Sequence, residues 1–171
     1  MGATEDTSQG MCQSCHTGGP TVRERGRVSL MAVLCDPCWS AYANQLAIEE
    51  GATAPPQADP DPDDVTPYEP PTCSDCGAAV RHYTTNYDRW VHLAVADLPA
   101  KDVAPRYRWR LQTIGGRHSR VPVEIVAVRI RGIEPLPSDP VRPAHRAVCL
   151  SPEAMQEAEQ EAEQERAADP E

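Results

Sequence analysis

The chain has 171 residues, with no Phe and only eight Trp and Tyr residues together, so it makes one ordinary domain or two very small ones without a large aromatic core. Its formal charge of -10 is unevenly spread, and no run of about 18 apolar residues occurs that would span a bilayer. Seven cysteines in so small a chain read as staples: disulfides in an exported protein, metal ligands in a reducing cytosol.

Residues 1–10 are polar and acidic and lack the apolar stretch of an export signal, and an odd number of cysteines leaves one thiol over in a disulfide scheme. A disordered N-terminus, a cytoplasmic location and metal ligation are therefore expected. Cys12-x-x-Cys15 and Cys35-x-x-Cys38 lie nineteen residues apart, the spacing of a paired-knuckle zinc site with four thiolates. Between them, Thr21–Arg25 and Arg27–Leu34 read as a hairpin around Gly26. Asp36 then offers an N-cap and Pro37 a first helical residue, and Trp39, Tyr42, Ala43 and Leu46 recur at helical spacing. Knuckle, hairpin and ligand-bearing helix over residues 11–50 are similar to the treble-clef arrangement. The Cys12-Gln13-Ser14-Cys15-His16 run also fits covalent haem attachment, but that chemistry needs export and gives the second cysteine pair no purpose.

Residues 51–72 read as a linker. The stretch 49–72 holds seven acids, no base and seven prolines, so it is extended and solvated and cannot fold alone. Beyond it, Cys73-x-x-Cys76 opens a second knuckle in which Gly77 can take positive φ. Cys149 and His145, spaced His-x-x-x-Cys, complete a Cys3His site that closes residues 73–150 end to end. His82, His92 and His118 compete for the fourth place, but none lies near another donor in sequence. Strands are expected at 88–95, at 107–114, where Tyr107, Trp109 and Leu111 alternate with Arg108, Arg110 and Gln112, and at 126–131, together forming a small antiparallel sheet. Trp90 and Trp109 read as core before they read as base-stacking platforms. Residues 151–171 hold eight acids and one base; Ser151 and Pro152 could start a helix, yet the apolar stripe of Ala154, Met155, Ala158 and Ala162 is weak, so a frayed helix or disorder is expected.

The series Cys73-x-x-Cys76-Gly77, Tyr87-Asp88-Arg89-Trp90-Val91, Pro105-Arg106-Tyr107-Arg108-Trp109-Arg110 and His145-x-x-x-Cys149 resembles a small domain of unknown function from streptomycetes and related actinobacteria, over about residues 72–150. The resemblance implies a metal-binding module and carries no activity with it.

The expected architecture is thus a small zinc-stapled α+β protein, a treble-clef-like finger and a small antiparallel β domain joined by a disordered linker. Eight ligands, Cys12, Cys15, Cys35, Cys38, Cys73, Cys76, His145 and Cys149, would hold two structural zinc ions. Residues 73–150 carry twelve bases against seven acids, and the strand pattern would put Arg106, Arg108, Arg110, Arg129 and Arg131 on one face, with Arg117 and Arg120 in a loop beside it. Such a row can grip phosphates, although arginines also simply solvate an open sheet face. The function expected is a non-enzymatic regulatory or adaptor protein that binds a protein partner or nucleic acid, with a DNA- or RNA-binding regulator as the alternative. No membrane contact and no small-molecule substrate is indicated. A zinc enzyme is a remote third reading, since no His-x-Glu, His-Glu-x-x-His, phosphate-binding glycine loop or nucleophile elbow occurs.

Overall fold

The computed structural model describes residues 10–53, 71–115 and 123–168. The expectations for residues 1–9, for the linker between 54 and 70, and for Arg117, His118 and Arg120 lie outside those residues.

The hairpin of the first module pairs β1 (Arg23–Arg25) with β2 (Ala32–Leu34), antiparallel. Both strands are shorter than expected because the turn between them uses left-handed backbone, with φ of 82° at Gly26 and 60° at Val28. Only glycine fits at 26: a Cβ there would lie 2.0 Å from the Leu30 carbonyl oxygen. Helix α1 (Asp36–Glu50) follows, with Pro37 in its first turn, and ends where the amide of left-handed Gly51 donates to the Ala47 carbonyl. The cap differs from expectation. Cys35 occupies the N-cap position and its amide donates to Cys12 Sγ at 3.5 Å, while Asp36 is drawn aside into ion pairs with Arg23 and Arg25. Trp39, Ala43 and Leu46 are buried against Leu34 and Cys12. Tyr42 is 39% exposed, and Ala47 takes its expected place on the buried face.

The second module is a six-stranded sheet. In chain order its strands are β3 (Val80–Thr85), β4 (Trp90–Ala94), β5 (Leu98–Pro99), β6 (Arg108–Ile114), β7 (Glu124–Arg129) and β8 (Pro140–Pro143); in space the order is β4-β3-β7-β6-β8-β5. Residues 88–95, 107–114 and 126–131 supply β4, β6 and β7 with shifted ends. β3 was not anticipated, and it changes the sheet: it runs antiparallel to β4 but parallel to β7, through Thr84 opposite Val126 and Thr85 opposite Ala127. The sheet is therefore mixed where an antiparallel one was expected. From β3 the chain reaches β7 only after passing through β4, β5 and β6, and such a long connection permits a parallel pairing. Trp109 is fully buried with Val91, Leu93, Ala127 and Ala144, and Ala100, Val103 and Val141 form a smaller cluster.

The two modules share a seam. Tyr87, in the turn between β3 and β4, is 1% exposed and packs into the core of the first module, where its hydroxyl donates to Glu50 Oε2 at 2.8 Å. Arg89 donates from Nη2 and Nε to Asn44 on α1, and the Arg27 amide donates to the Asn86 carbonyl at 2.9 Å. Thr53 and Trp90 exchange backbone hydrogen bonds of 2.7 and 2.9 Å, so the described chain stays tied to the sheet through Thr53 and rejoins it at Pro71, whose carbonyl accepts from Val80.

The C-terminal segment forms helix α2 (Pro152–Ala168), started by Ser151, whose Oγ accepts from the Ala154 amide at 3.2 Å. Among the described residues no helix is long and apolar enough to cross a membrane.

Candidate metal centres

The two cysteine knuckles are built alike. In the first, the Cys12 amide donates to the Thr17 carbonyl at 3.1 Å and the His16 amide to the Cys12 carbonyl at 2.9 Å; in the second, Cys73 donates to Ala78 at 2.9 Å and Gly77 to Cys73 at 2.9 Å. The residue after each cysteine pair is left-handed, His16 at 57° and Gly77 at 70°. Gly77 thus takes the positive φ expected of it, and His16 is an exposed turn residue pointing to no ligand role.

Each knuckle meets two further donors. Cys35, at the junction of β2 and α1, and Cys38, in the first turn of α1, complete one cluster with Cys12 and Cys15. Within it all four Sγ atoms lie within 4.8 Å of one another, and Cys15 and Cys35 are 3.8 Å apart. His145, in a 3-10 turn (His145–Ala147) after β8, and Cys149 complete the other with Cys73 and Cys76. There Cys73 and Cys149 are 4.0 Å apart, and Cys76 Sγ lies 3.4 Å from His145 Nε2. All seven cysteines are unbridged; a disulfide would hold its sulfurs at about 2.05 Å. Ligand sulfurs about 2.3 Å from a tetrahedral ion stand about 3.8 Å apart, and a nitrogen at about 2.1 Å stands slightly closer to them. Both clusters have these separations and could each hold a metal ion. His82 and His92 do not join the second cluster; they stack on each other across β3 and β4 with ring centroids 4.0 Å apart.

The electrostatics of the clusters favour a cation at their centres. Amides at Cys15 and Cys35 hold the Cys12 thiol down at about 6, and the Thr17 hydroxyl and amide lower Cys15. Cys38 is pushed up to about 12: a Ser14 hydrogen bond draws it down, but Cys35, burial and the other two thiols outweigh it. In the second cluster the Ser151 hydroxyl and amide lower Cys149. Cys76 is raised, because burial and its neighbours Cys149 and Cys73 overcome the Ala78 amide. Burial lowers the pKa of His145 against the opposing charge of Asp75, a shift in the direction that favours the neutral, ligating imidazole. In each cluster the first thiolates make the last one costly, a repulsion that a divalent ion would reverse. The sequence marks Ser151 as a helix start but not as a partner of Cys149, and it does not mark Ser14 or Thr17. For those two the only signal was a hydroxyl within two residues of a ligand.

Beside the second cluster lies a cavity of about 470 Å³, walled by Cys73, His145 and Cys149 on one side and by Trp90 and the His82–His92 stack on the other.

The arginine row is not one face. Across β6 and β7 Trp109 stands opposite Arg129 and Arg110 opposite Val128, and paired residues point to the same side, so Arg129 lies on the Trp109 side and Arg110 on the other. Arg108 is engaged as well, its Nε donating to the Val103 carbonyl at 2.7 Å and its Nη1 pairing with Glu134. Arg131 pairs with Glu50, and Arg106 lies over the Tyr107 ring, 5.2 Å from its centroid. Of the five, Arg110 and Arg131 are exposed.

Comparison with curated proteins found no match, and neither did comparison with solved structures. A family of unknown function does match, over residues 46–169, a span that takes in the last turn of α1, the whole sheet, the second cluster and α2, but leaves out the four cysteines of the first cluster. With most of its length inside that match, including Cys73, Cys76, His145 and Cys149, the chain belongs to the family of unknown function DUF6083.

Proposed function

We propose that each cluster binds one zinc ion as a closed structural site, and that the two ions staple a non-enzymatic adaptor or regulatory protein acting on a protein partner in the cytoplasm. The carrying observation is the donor set: four thiols in one cluster, three thiols and one imidazole in the other, the donor atoms of each all within 4.8 Å of one another. Soft thiolate and imidazole donors favour zinc over magnesium or calcium. Four protein donors leave no coordination position for water or substrate, the mark of a structural site rather than a catalytic one. Zinc bound there supplies charge neutralisation and cross-linking. The protein's own part is to present each knuckle beside a second pair of donors, from the start of α1 in one module and from the turn after β8 in the other, which in the first module is similar to a treble clef.

A protein partner is favoured over nucleic acid because, among the described residues, the arginines divide between two sides of the sheet and several are engaged within the molecule, leaving no continuous row there to track a phosphate backbone. Native mass spectrometry on protein purified under reducing conditions tests the metal reading: two zinc ions per chain are expected, both lost to a chelator. A metal-free folded chain, or iron in place of zinc, would overturn it. For the partner, a pull-down unaffected by nuclease is expected, whereas a mobility shift with DNA or RNA that weakens steeply with salt would move the assignment to nucleic acid.

A further inference from the structure

We propose that a cavity of about 240 Å³ at the seam between the hairpin and the sheet binds a small oxyanion, a phosphate or carboxylate group, on Arg129 and Arg131. The cavity is lined by Ser29 and Leu30 from the hairpin, Asn86 from the turn after β3, and Val128, Arg129 and Arg131 from β7 and its continuation. Two guanidinium groups and no carboxylate face this lining. Glu50 pairs with Arg131, and the nearby acids Asp88 and Glu124 pair with Arg27, which does not line the cavity. Arg129 makes no direct ion pair among the described residues: its hydrogen bonds go from Nη1 to the carbonyls of Arg108 and Ile130, at 2.7 and 3.1 Å, and Glu50 acts on it only through space. Burial lowers its pKa from the ordinary value, with Glu50 opposing, as expected of a desolvated cation short of counter-charge.

The chemistry of the walls fits an oxyanion. A guanidinium fixed through one nitrogen still offers donors in a planar fork, the geometry that phosphate and carboxylate oxygens match. Asn86 and Ser29 carry an amide and a hydroxyl that can donate to further oxygens. At about 240 Å³ the space falls below the roughly 300 to 1,000 Å³ of sites for drug-sized ligands, so it suits a single anionic group with little attached. An independent feature marks the same place. Val28, next to Ser29, holds φ at 60°, costly for a β-branched residue and the kind of strain kept where a wall must be positioned.

The cavity requires a folded first module, so the inference rests on the metal reading, and every sample is checked for metal content. The test follows the unfolding midpoint of the full-length, metal-loaded protein as sodium phosphate replaces sodium chloride at constant ionic strength, with sodium acetate as a parallel arm. A saturable upward shift is expected, of the form that ligand binding to the folded state produces. Its apparent Kd should rise at least tenfold in Arg129→Gln and in Ser29→Leu, which fills the cavity from the hairpin side and leaves both arginines in place. Saturation in phosphate assigns a phosphate group, and saturation in acetate alone a carboxylate. A rise without saturation that is equal in wild type and variants is salt exclusion from the surface and overturns the proposal, as does no shift at all. If Arg129→Gln fails to fold, Ser29→Leu decides. A chain that has lost its metal fails the metal reading, and only metal-loaded samples bear on the cavity.

Discussion

The two modules solve one problem in opposite proportions. In the first, the candidate ligands fall between Cys12 and Cys38, and around them stand two three-residue strands, one helix and a core built on Trp39, Leu34 and Leu46 and completed by Tyr87 from the second module. In the second, the ligands run from Cys73 to Cys149 and close a six-stranded sheet that already buries Trp109, Leu93, Val91 and Val126. The first is a candidate metal site with a little protein around it, and the second a small protein whose ends a cluster of metal-ligating side chains brings together. Closing more chain costs more entropy, though only logarithmically, so the size of the core and not the length of the loop decides which module needs its ion more.

Chelation should therefore separate them, and it is the largest effect expected. A structural ion of this kind contributes on the order of 10 kcal/mol to folding. With both ions removed, amide exchange should lose all protection across residues 12–50 while β3–β4 and β6–β7 keep part of theirs. Collapse of both modules in one step would break the comparison and put the weight on the seam at Tyr87. Single variants sharpen it: Cys38→Ser should cost one ion and the fold of the first module, while His145→Ala should weaken the second ion and leave the first in place, as native mass spectrometry would register.

Next in size comes the core of the second module. Trp109 is fully buried, and Trp109→Ala should cost about 3 to 5 kcal/mol through lost burial and a residual cavity, read from denaturant unfolding of the metal-loaded protein. A cost under about 1 kcal/mol would mean that the sheet, like the finger, stands on its metal alone.

The seam is expected to matter less. Tyr87→Phe removes the hydroxyl that donates to Glu50, a carboxylate whose side chain is 5% exposed and which keeps Arg131 as partner, so a loss of about 1 to 2 kcal/mol is expected. Burial, and then the charge of Glu50, raise the Tyr87 pKa well above the ordinary phenol range. The sign follows from linkage: the unfolded chain ionises first, so this contribution is complete below about pH 10 and declines as pH rises beyond it. The Phe variant should lack that part of the alkaline slope, and an unchanged slope would show that the hydroxyl does not hold the modules together.

The sequence made the ligands legible and the seam illegible, for a physical reason. Thiolates must converge on an ion, so a Cys-x-x-Cys pair announces a knuckle wherever it occurs, and His145 and Cys149 were the donors left to finish the second site. The strand at 108–114 was equally plain, because one face had to be apolar. β3, with the run Val80-Arg81-His82-Tyr83-Thr84-Thr85, lies between two neighbours and presents His82 outward beside His92, so its alternation is too weak to announce a strand. Without β3 the sheet could not be recognised as mixed, nor Tyr87 as a bridge. The arginine row failed for a related reason: alternation within one strand says which residues share a side, but only the register between strands says whether Arg110 and Arg129 do, and register is set by turns and pairing partners.

The smallest effect concerns the point where metal and helix meet. Ser151 is buried, caps α2 through the Ala154 amide, and places its Oγ 3.5 Å from Cys149 Sγ. One hydroxyl therefore touches both the helix start and a thiol of the second cluster. Ser151→Ala should cost about 1 kcal/mol as a lost cap, seen as reduced helicity by circular dichroism. If the two roles are coupled, the second ion should also leave at a lower chelator concentration while the first does not change. Ser151→Thr keeps a capping hydroxyl and should restore both readouts, whereas recovery of helicity without recovery of metal retention would separate the cap from the site. Having no counterpart in the first cluster, where Cys35 holds the cap position without a side-chain bond, this coupling belongs to the second module alone.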